Sequence, residues 1–307
     1  MGLVGIARLA RDAPSLLEKR SVEYRELPSF QILNRCDSPR VPFEWTINPY
    51  RGCEIGCRYC YARYTHEFME FRDPWQFEKL IFAKQFDPAT FRTALRKMNP
   101  REQIALGTAT DPYQAAERRY FVTRKILSIL NEFTGRSVGI TTKSDLIARD
   151  LDLLVSIGSR NRLTVAITIT TVETELARRI EPRAPRPDLR LETIRRLAAA
   201  GISVGVSCSP VMPLINDSDA QLEDVARAAS EAGAKWLFAR ALFLTSGPRR
   251  VFFAFLAEHF PHLMADYRRG IQPDRLPERM QRIKAKYSLA GRLPEWAPPE
   301  LQLSLLL

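Results

Sequence analysis

Histidine and cysteine are scarce in this chain, at three and five residues among 307. Five cysteines are too few for a disulfide framework at this length, which points to a reducing compartment. No apolar run reaches the roughly 20 residues that a membrane helix takes. The longest stretch without a charge, 197–216, carries Gly201, Gly205, Pro210, Pro213 and three serines. Acidic Asp12 and Glu18 come early and no apolar signal core is visible near them, so a cytoplasmic location is expected. Hydrophobic residues at 45% and charged residues at 26% exclude a disordered or collagenous chain.

What is present is a regular alternation. Six apolar runs of strand length, 44–48, 104–110, 138–143, 163–170, 203–209 and 235–243, are separated by segments such as the amphipathic stretches 116–133, 144–157, 189–200 and 217–232. That order predicts βαβ units and a parallel sheet. Asp217 or Ser218 suits a helix N-cap, and Gly201 and Gly233 stand where helices end. The expected division is an N-terminal extension (1–43), an α/β core (44–245) and a helical, basic C-terminal region (246–307).

Separating alternate residues onto two faces reveals a second pattern. In the fourth run Leu163, Val165, Ile167 and Ile169 oppose Thr164, Ala166, Thr168 and Thr170; in the fifth, Val204 and Val206 oppose Ser203, Gly205, Ser207 and Ser209. One face is branched and the other small and polar. A closed eight-stranded barrel fills its interior with branched side chains. Six strands with a small polar inner face predict instead a partial (β/α)6, TIM-like barrel open enough to hold a ligand. The sixth run does not sort onto two faces.

Directly after the first run comes NPYRGCEIGCRYCYAR, with Cys53, Cys57 and Cys60 spaced CxxxCxxC. Three thiolates on one short loop can hold three irons of a 4Fe-4S cube and leave the fourth open. Gly52 and Gly56 let the backbone wrap closely and free its amides for the cluster. The competing reading is a structural zinc, with His66 completing a Cys3His tetrahedron and the chain acting as a nucleic-acid-binding module without catalysis.

This loop on the first strand of an α/β barrel resembles the radical S-adenosylmethionine (SAM) superfamily. With TDPYQ, TTKSDL, EPRAP and VSCSPVMPLIND following in order, it is similar to the spore-photoproduct-lyase-like branch over about residues 44–245. The resemblance implies SAM chelated to the open iron and cleaved by an electron from a reductant such as flavodoxin or ferredoxin. It implies Cys53, Cys57 and Cys60 on the cluster and Tyr59 against adenine. Lys143 would approach the SAM carboxylate, assisted by Thr168 or Thr170. Thr110 and Asp111 would contact SAM or substrate, Ser209 would border the adenine or ribose, and Arg183 would reach an anionic group. Tyr113 is a candidate radical relay. The segment GTATDPY holds no cysteine where that branch carries a hydrogen-atom donor, so repair of spore photoproduct by that route is not implied. Cys208 is a candidate substitute, although it falls on the Val204/Val206 face, and Cys36 is a bystander.

The chain carries 46 Lys and Arg against 35 Asp and Glu, a net charge of +11. A surplus of six falls between Arg268 and Arg292. Arg279, Arg282 and Lys286 recur at helical spacing and could track a phosphate backbone, with Tyr287 and Trp296 available for stacking. Nucleic acid is therefore a candidate partner and a modified or damaged nucleobase the leading substrate class, ahead of a peptide or small metabolite.

Overall fold

A computed structural model describes residues 5–290 apart from Pro14, Arg20, Ser21 and Arg40. Its main sheet contains six parallel strands, β1 (Trp45–Ile47), β2 (Gln103–Leu106), β3 (Ser137–Thr142), β4 (Arg162–Thr168), β5 (Ser203–Val211) and β6 (Leu237–Ala241), adjacent in chain order. Leu33–Arg35 pairs antiparallel with β1 at one edge, and Ala290 bridges to Trp236 at the other. Among the described residues the two edges do not pair, so the sheet is an open arc. The expected partial barrel and its parallel order are present.

The branched faces lie outward. Val138, Ile140, Val165, Ile167, Val204 and Val206 form one core with helix residues such as Ile126, Leu154, Ile194 and Val225. Each fully buried Val or Ile contributes roughly 1.5–3 kcal/mol, so this outer layer holds the sheet and leaves the inner face to small and polar groups. The helices end and begin where expected: Ser218 caps Asp219–Glu231 in a capping box with Gln221, and Gly201 and Gly233 take positive φ. The 144–157 stretch is divided, a 3-10 turn over Asp145–Asp150 leading into helix Leu151–Gly158.

The sixth strand resolves in space what alternation left open. Trp236 and Phe238 stack, with ring centroids 5.9 Å apart, while Leu237 joins the outer core. Gly205 on β5 makes room for the indole: a Cβ there would lie 2.1 Å from Trp236 Cδ2. Gly205→Ala is expected to destabilise the fold by roughly 1–3 kcal/mol through overpacking. A urea midpoint equal to that of the parent would show that the ring moves aside freely.

The N-terminal segment is more than an appendage. Val22–Pro28 pairs parallel with Leu80–Gln85, which pairs in turn with Tyr50–Arg51, and Ser15–Lys19 completes a four-stranded second sheet. This sheet backs the cysteine loop. The basic stripe expected in the C-terminal region is occupied internally: Arg279 and Arg282 pair with Asp219 at 2.6 and 3.3 Å, and Lys286 with Glu223 at 2.6 Å. Helix Leu276–Lys286 thus sets these cations beside the acids of helix Asp219–Glu231, with Arg282 and Lys286 still 71% and 58% exposed. Tyr287 packs against the main core, and Arg292 and Trp296 lie outside the described residues. No described helix is long and apolar enough to cross a membrane.

Candidate functional site

The cysteine loop leaves the C-terminal end of β1 and is fixed from several directions. Gly52 takes φ +81°, and a Cβ there would lie 2.5 Å from the Leu80 carbonyl and 2.9 Å from that of Phe77. Its own carbonyl accepts Thr110 Oγ1 at 2.6 Å and Gln114 Nε2 at 3.1 Å. Glu54, buried, accepts Tyr24 Oη at 2.6 Å and the Ala116 amide at 2.8 Å. Arg63, also buried, donates to the Cys57 carbonyl at 3.0 Å and to Glu78 at 2.5 Å. The loop is thus held in one conformation by neighbours on both sheets.

Cys53 and Cys57 are buried and Cys60 half-buried, in an apolar pocket with Ile180, Met212, Ile215 and Phe252. Burial pushes the Cys53 thiol well up, with Asp111 and the other two cysteines adding to it; burial likewise pushes Cys57 up to about 12, against the pull of Lys143. Thiols raised as Cys53 and Cys57 are favour their ionised form only beside strong positive charge, which is what an iron cluster would supply. The donor set and the close-wrapped glycines therefore fit that group. The amides do not behave as expected: those of Cys53, Glu54, Arg58 and Cys60 are taken by protein acceptors.

Zinc fits poorly. His66 Nε2 lies 3.0 Å from the Leu80 carbonyl, and its ring packs among Phe71, Phe77 and Phe82. Burial holds its pKa down at about 4. Among the described residues no three His, Cys, Asp or Glu side chains converge on a single ion, whereas a cube distributes its thiolates over different irons.

Tyr59 and Lys143 stand at this pocket. The Lys143 ammonium is 5.7 Å from the Tyr59 ring centroid. Burial lowers its pKa, but Cys57, Glu181, Asp111 and Cys60 together outweigh that and hold it above the ordinary value. The Tyr59 hydroxyl donates to Glu181 Oε1, and Thr170 Oγ1 lies 3.4 Å from the same oxygen. Arg190, itself buried, donates to Glu181 Oε2 at 2.5 Å and to the Thr168 carbonyl at 3.0 Å. Burial opposes ionisation of Glu181, yet Arg190, Lys143 and Tyr59 hold its pKa below the ordinary value. Glu181 and Arg190 were not singled out by the sequence. The one available signal was Glu181 at the head of the EPRAP segment.

Other expected site residues have structural partners. Asp111 accepts Thr142 Oγ1 at 2.6 Å, the Lys143 amide at 2.7 Å and the Tyr113 amide at 2.9 Å, tying the ends of β2 and β3 together. Thr110 is engaged with Gly52. Arg183 braces the loop: its guanidinium donates to the carbonyls of Glu54 at 3.0 Å and Glu78 at 3.4 Å. Tyr113 is buried in the main core. Cys208 is in the same core, 1% exposed, its thiol 4.0 Å from the Thr170 carbonyl, so it faces the helices as its strand position indicated. Ser209 Oγ is buried without a protein partner.

Comparison with known proteins agrees with this geometry. The family model described as the radical SAM superfamily matches residues 47–229. An uncharacterized protein of Mycobacterium bovis is 35% identical over 99% of this chain and 91% of its own length. An uncharacterized protein of Methanocaldococcus jannaschii is 28% identical over 57% of this chain and 62% of its own. A solved structure of a spore photoproduct lyase mutant, with bound AdoMet and dinucleoside spore photoproduct, superposes with a TM-score of 0.64 at 16% identity, covering 85% of this chain and 79% of that one. At that identity the likeness is one of fold. With a matched segment that spans β1 to β5 and contains all three loop cysteines, this chain belongs to the radical SAM superfamily.

Proposed function

We propose that this chain is a radical SAM enzyme whose Cys53, Cys57 and Cys60 hold a 4Fe-4S cluster and whose substrate is a modified or damaged nucleobase. The observation that carries the cofactor assignment is that the three loop thiols share one apolar cluster, close enough to act on one another, with the Lys143 ammonium acting on Cys57 and Cys60. Cys53, Cys57 and Cys60 would hold the cluster, which with SAM would supply 5′-deoxyadenosyl radical chemistry for hydrogen abstraction.

The chain's own residues bind, orient and exclude water. Lys143 presents positive charge for the SAM carboxylate, and Tyr59 presents its ring beside it. Glu181 and Arg190 hold Tyr59 in place, and the apolar wall of Ile180, Met212 and Phe252 keeps competing donors out. A nucleobase substrate is supported by the basic charge and by the fold shared with a lyase that has been solved with a dinucleoside lesion bound.

Anaerobic reconstitution tests this reading. The expected result is about four irons and about four sulfides per chain, with 5′-deoxyadenosine formed on adding dithionite and SAM. Stoichiometric zinc with no visible iron-sulfur absorbance would overturn it. Deuterium exchanged between the deoxyadenosyl group and an oligonucleotide, rather than a peptide or small metabolite, identifies the substrate class.

A further inference from the structure

Behind the cysteine loop two cations sit side by side without a counter-charge among the described residues. Arg51 and Lys84 belong to the antiparallel pair Tyr50–Arg51 and Leu80–Gln85. Arg51 stands opposite Phe82, so Lys84, two residues further along, shares its face as a diagonal neighbour. Lys84 is 8% exposed and has no ion pair or side-chain hydrogen bond among the described residues. Among the described residues Arg51 donates to the Thr65 carbonyl, at 3.4 Å, and its Nε is buried without a partner. Burial, with Arg51 alongside, pulls the Lys84 pKa down to about 7. Keeping both groups charged in this setting is costly unless an anion comes between them.

The helix that Arg51 touches, Tyr61–Met69, carries Tyr61, Tyr64 and Phe68 in a row. Successive centroids are 6.4 and 5.6 Å apart, and Tyr61 and Phe68 are 45% and 60% exposed. The Tyr61 hydroxyl donates to the carbonyl of Thr108, just beyond β2, so the row ends at the barrel mouth. Cations beside exposed rings are what a single strand needs, one for its phosphates and the other for its bases.

We propose that Arg51 and Lys84 bind a phosphodiester of single-stranded nucleic acid, with bases stacked on Tyr64 and Phe68, and so lead the strand to the barrel mouth. The site deepens the nucleobase reading above and rests on it for its biological purpose. Arg282, paired with Asp219, has no part in it.

The test is fluorescence anisotropy of a labelled oligothymidylate with the full chain. Lys84→Met keeps the volume of the side chain and removes its charge. It is expected to weaken binding about tenfold and to reduce the log–log salt slope by about 1. Phe68→Ala is expected to weaken binding by about tenfold, while Arg282→Ala leaves it unchanged. Unaltered affinity and slope in both Lys84→Met and Phe68→Ala would overturn the site. Loss of inorganic phosphate binding in Lys84→Met with oligonucleotide binding intact would also overturn it, in favour of a free-anion pocket. SAM cleavage measured in parallel separates the two ideas: oligonucleotide binding that depends on Lys84, in a chain that never cleaves SAM, sinks the catalytic reading and leaves the docking site standing.

Discussion

Cys53→Ala, Cys57→Ala and Cys60→Ala are each expected to reduce 5′-deoxyadenosine formation to background and to lower iron and sulfide after reconstitution. The reason lies in the count of ligands. In the proposed site three side chains would hold three irons, and the loop offers no fourth cysteine to take over when one is lost. Cys208 cannot substitute, being buried in the core on the outer face of the sheet. Cys36 lies before β1, outside the loop. Because Cys53 and Cys57 are buried among apolar neighbours, their alanine variants should still fold, with an unfolding midpoint close to that of the unloaded parent. Metal content and circular dichroism measured on one preparation separate cluster loss from unfolding. Full activity in any of the three variants would remove that cysteine from the site.

Glu181→Ala is expected to cost about 3–5 kcal/mol, because it leaves the buried Arg190 guanidinium without its carboxylate. Arg190 keeps its bonds to the Thr168 and Pro185 carbonyls, which satisfy donors but do not neutralise charge. Replacing both partners, as in Glu181→Gln with Arg190→Met, should cost less than Glu181→Ala alone, since no uncompensated charge remains. The pH dependence has a definite sign. The carboxyl's folded pKa lies below its ordinary value of 4.5, so its contribution is fully present above that value and is lost as pH falls through the folded pKa. Glu181→Gln should therefore flatten part of the acid limb of a urea-midpoint profile below pH 4.5. A Glu181→Ala midpoint within about 1 kcal/mol of the parent would show that the pair contributes little, as exposed pairs do.

The parts of this molecule that were legible in the sequence are those governed by local periodicity. Strands β3, β4 and β5 alternate branched and small residues because one face meets helices and the other does not, and the loop spacing carries its chemistry within eight residues. What escaped depends on distant partners. Val22–Pro28 reads as a charged segment, VEYRELP, and becomes a strand by pairing with Leu80–Gln85. Arg279, Arg282 and Lys286 look like a free basic stripe until Asp219 and Glu223, about sixty positions earlier, are brought against them. The facing of β6 could not be read because Trp236 and Phe238 turn large rings onto a face that is otherwise small, a choice explained only by Gly205 on the neighbouring strand.

The unpaired edges of the main sheet carry one more consequence. A complete ring of strands restricts its reactants to whatever can descend through the rim. An arc leaves a gap between its edges, and here helix Ser246–His259, which follows β6, packs against Tyr61–Met69 and Pro74–Glu78, which follow β1. Limits on reactant size here would then come from the lining of that gap and not from the bore of a cylinder.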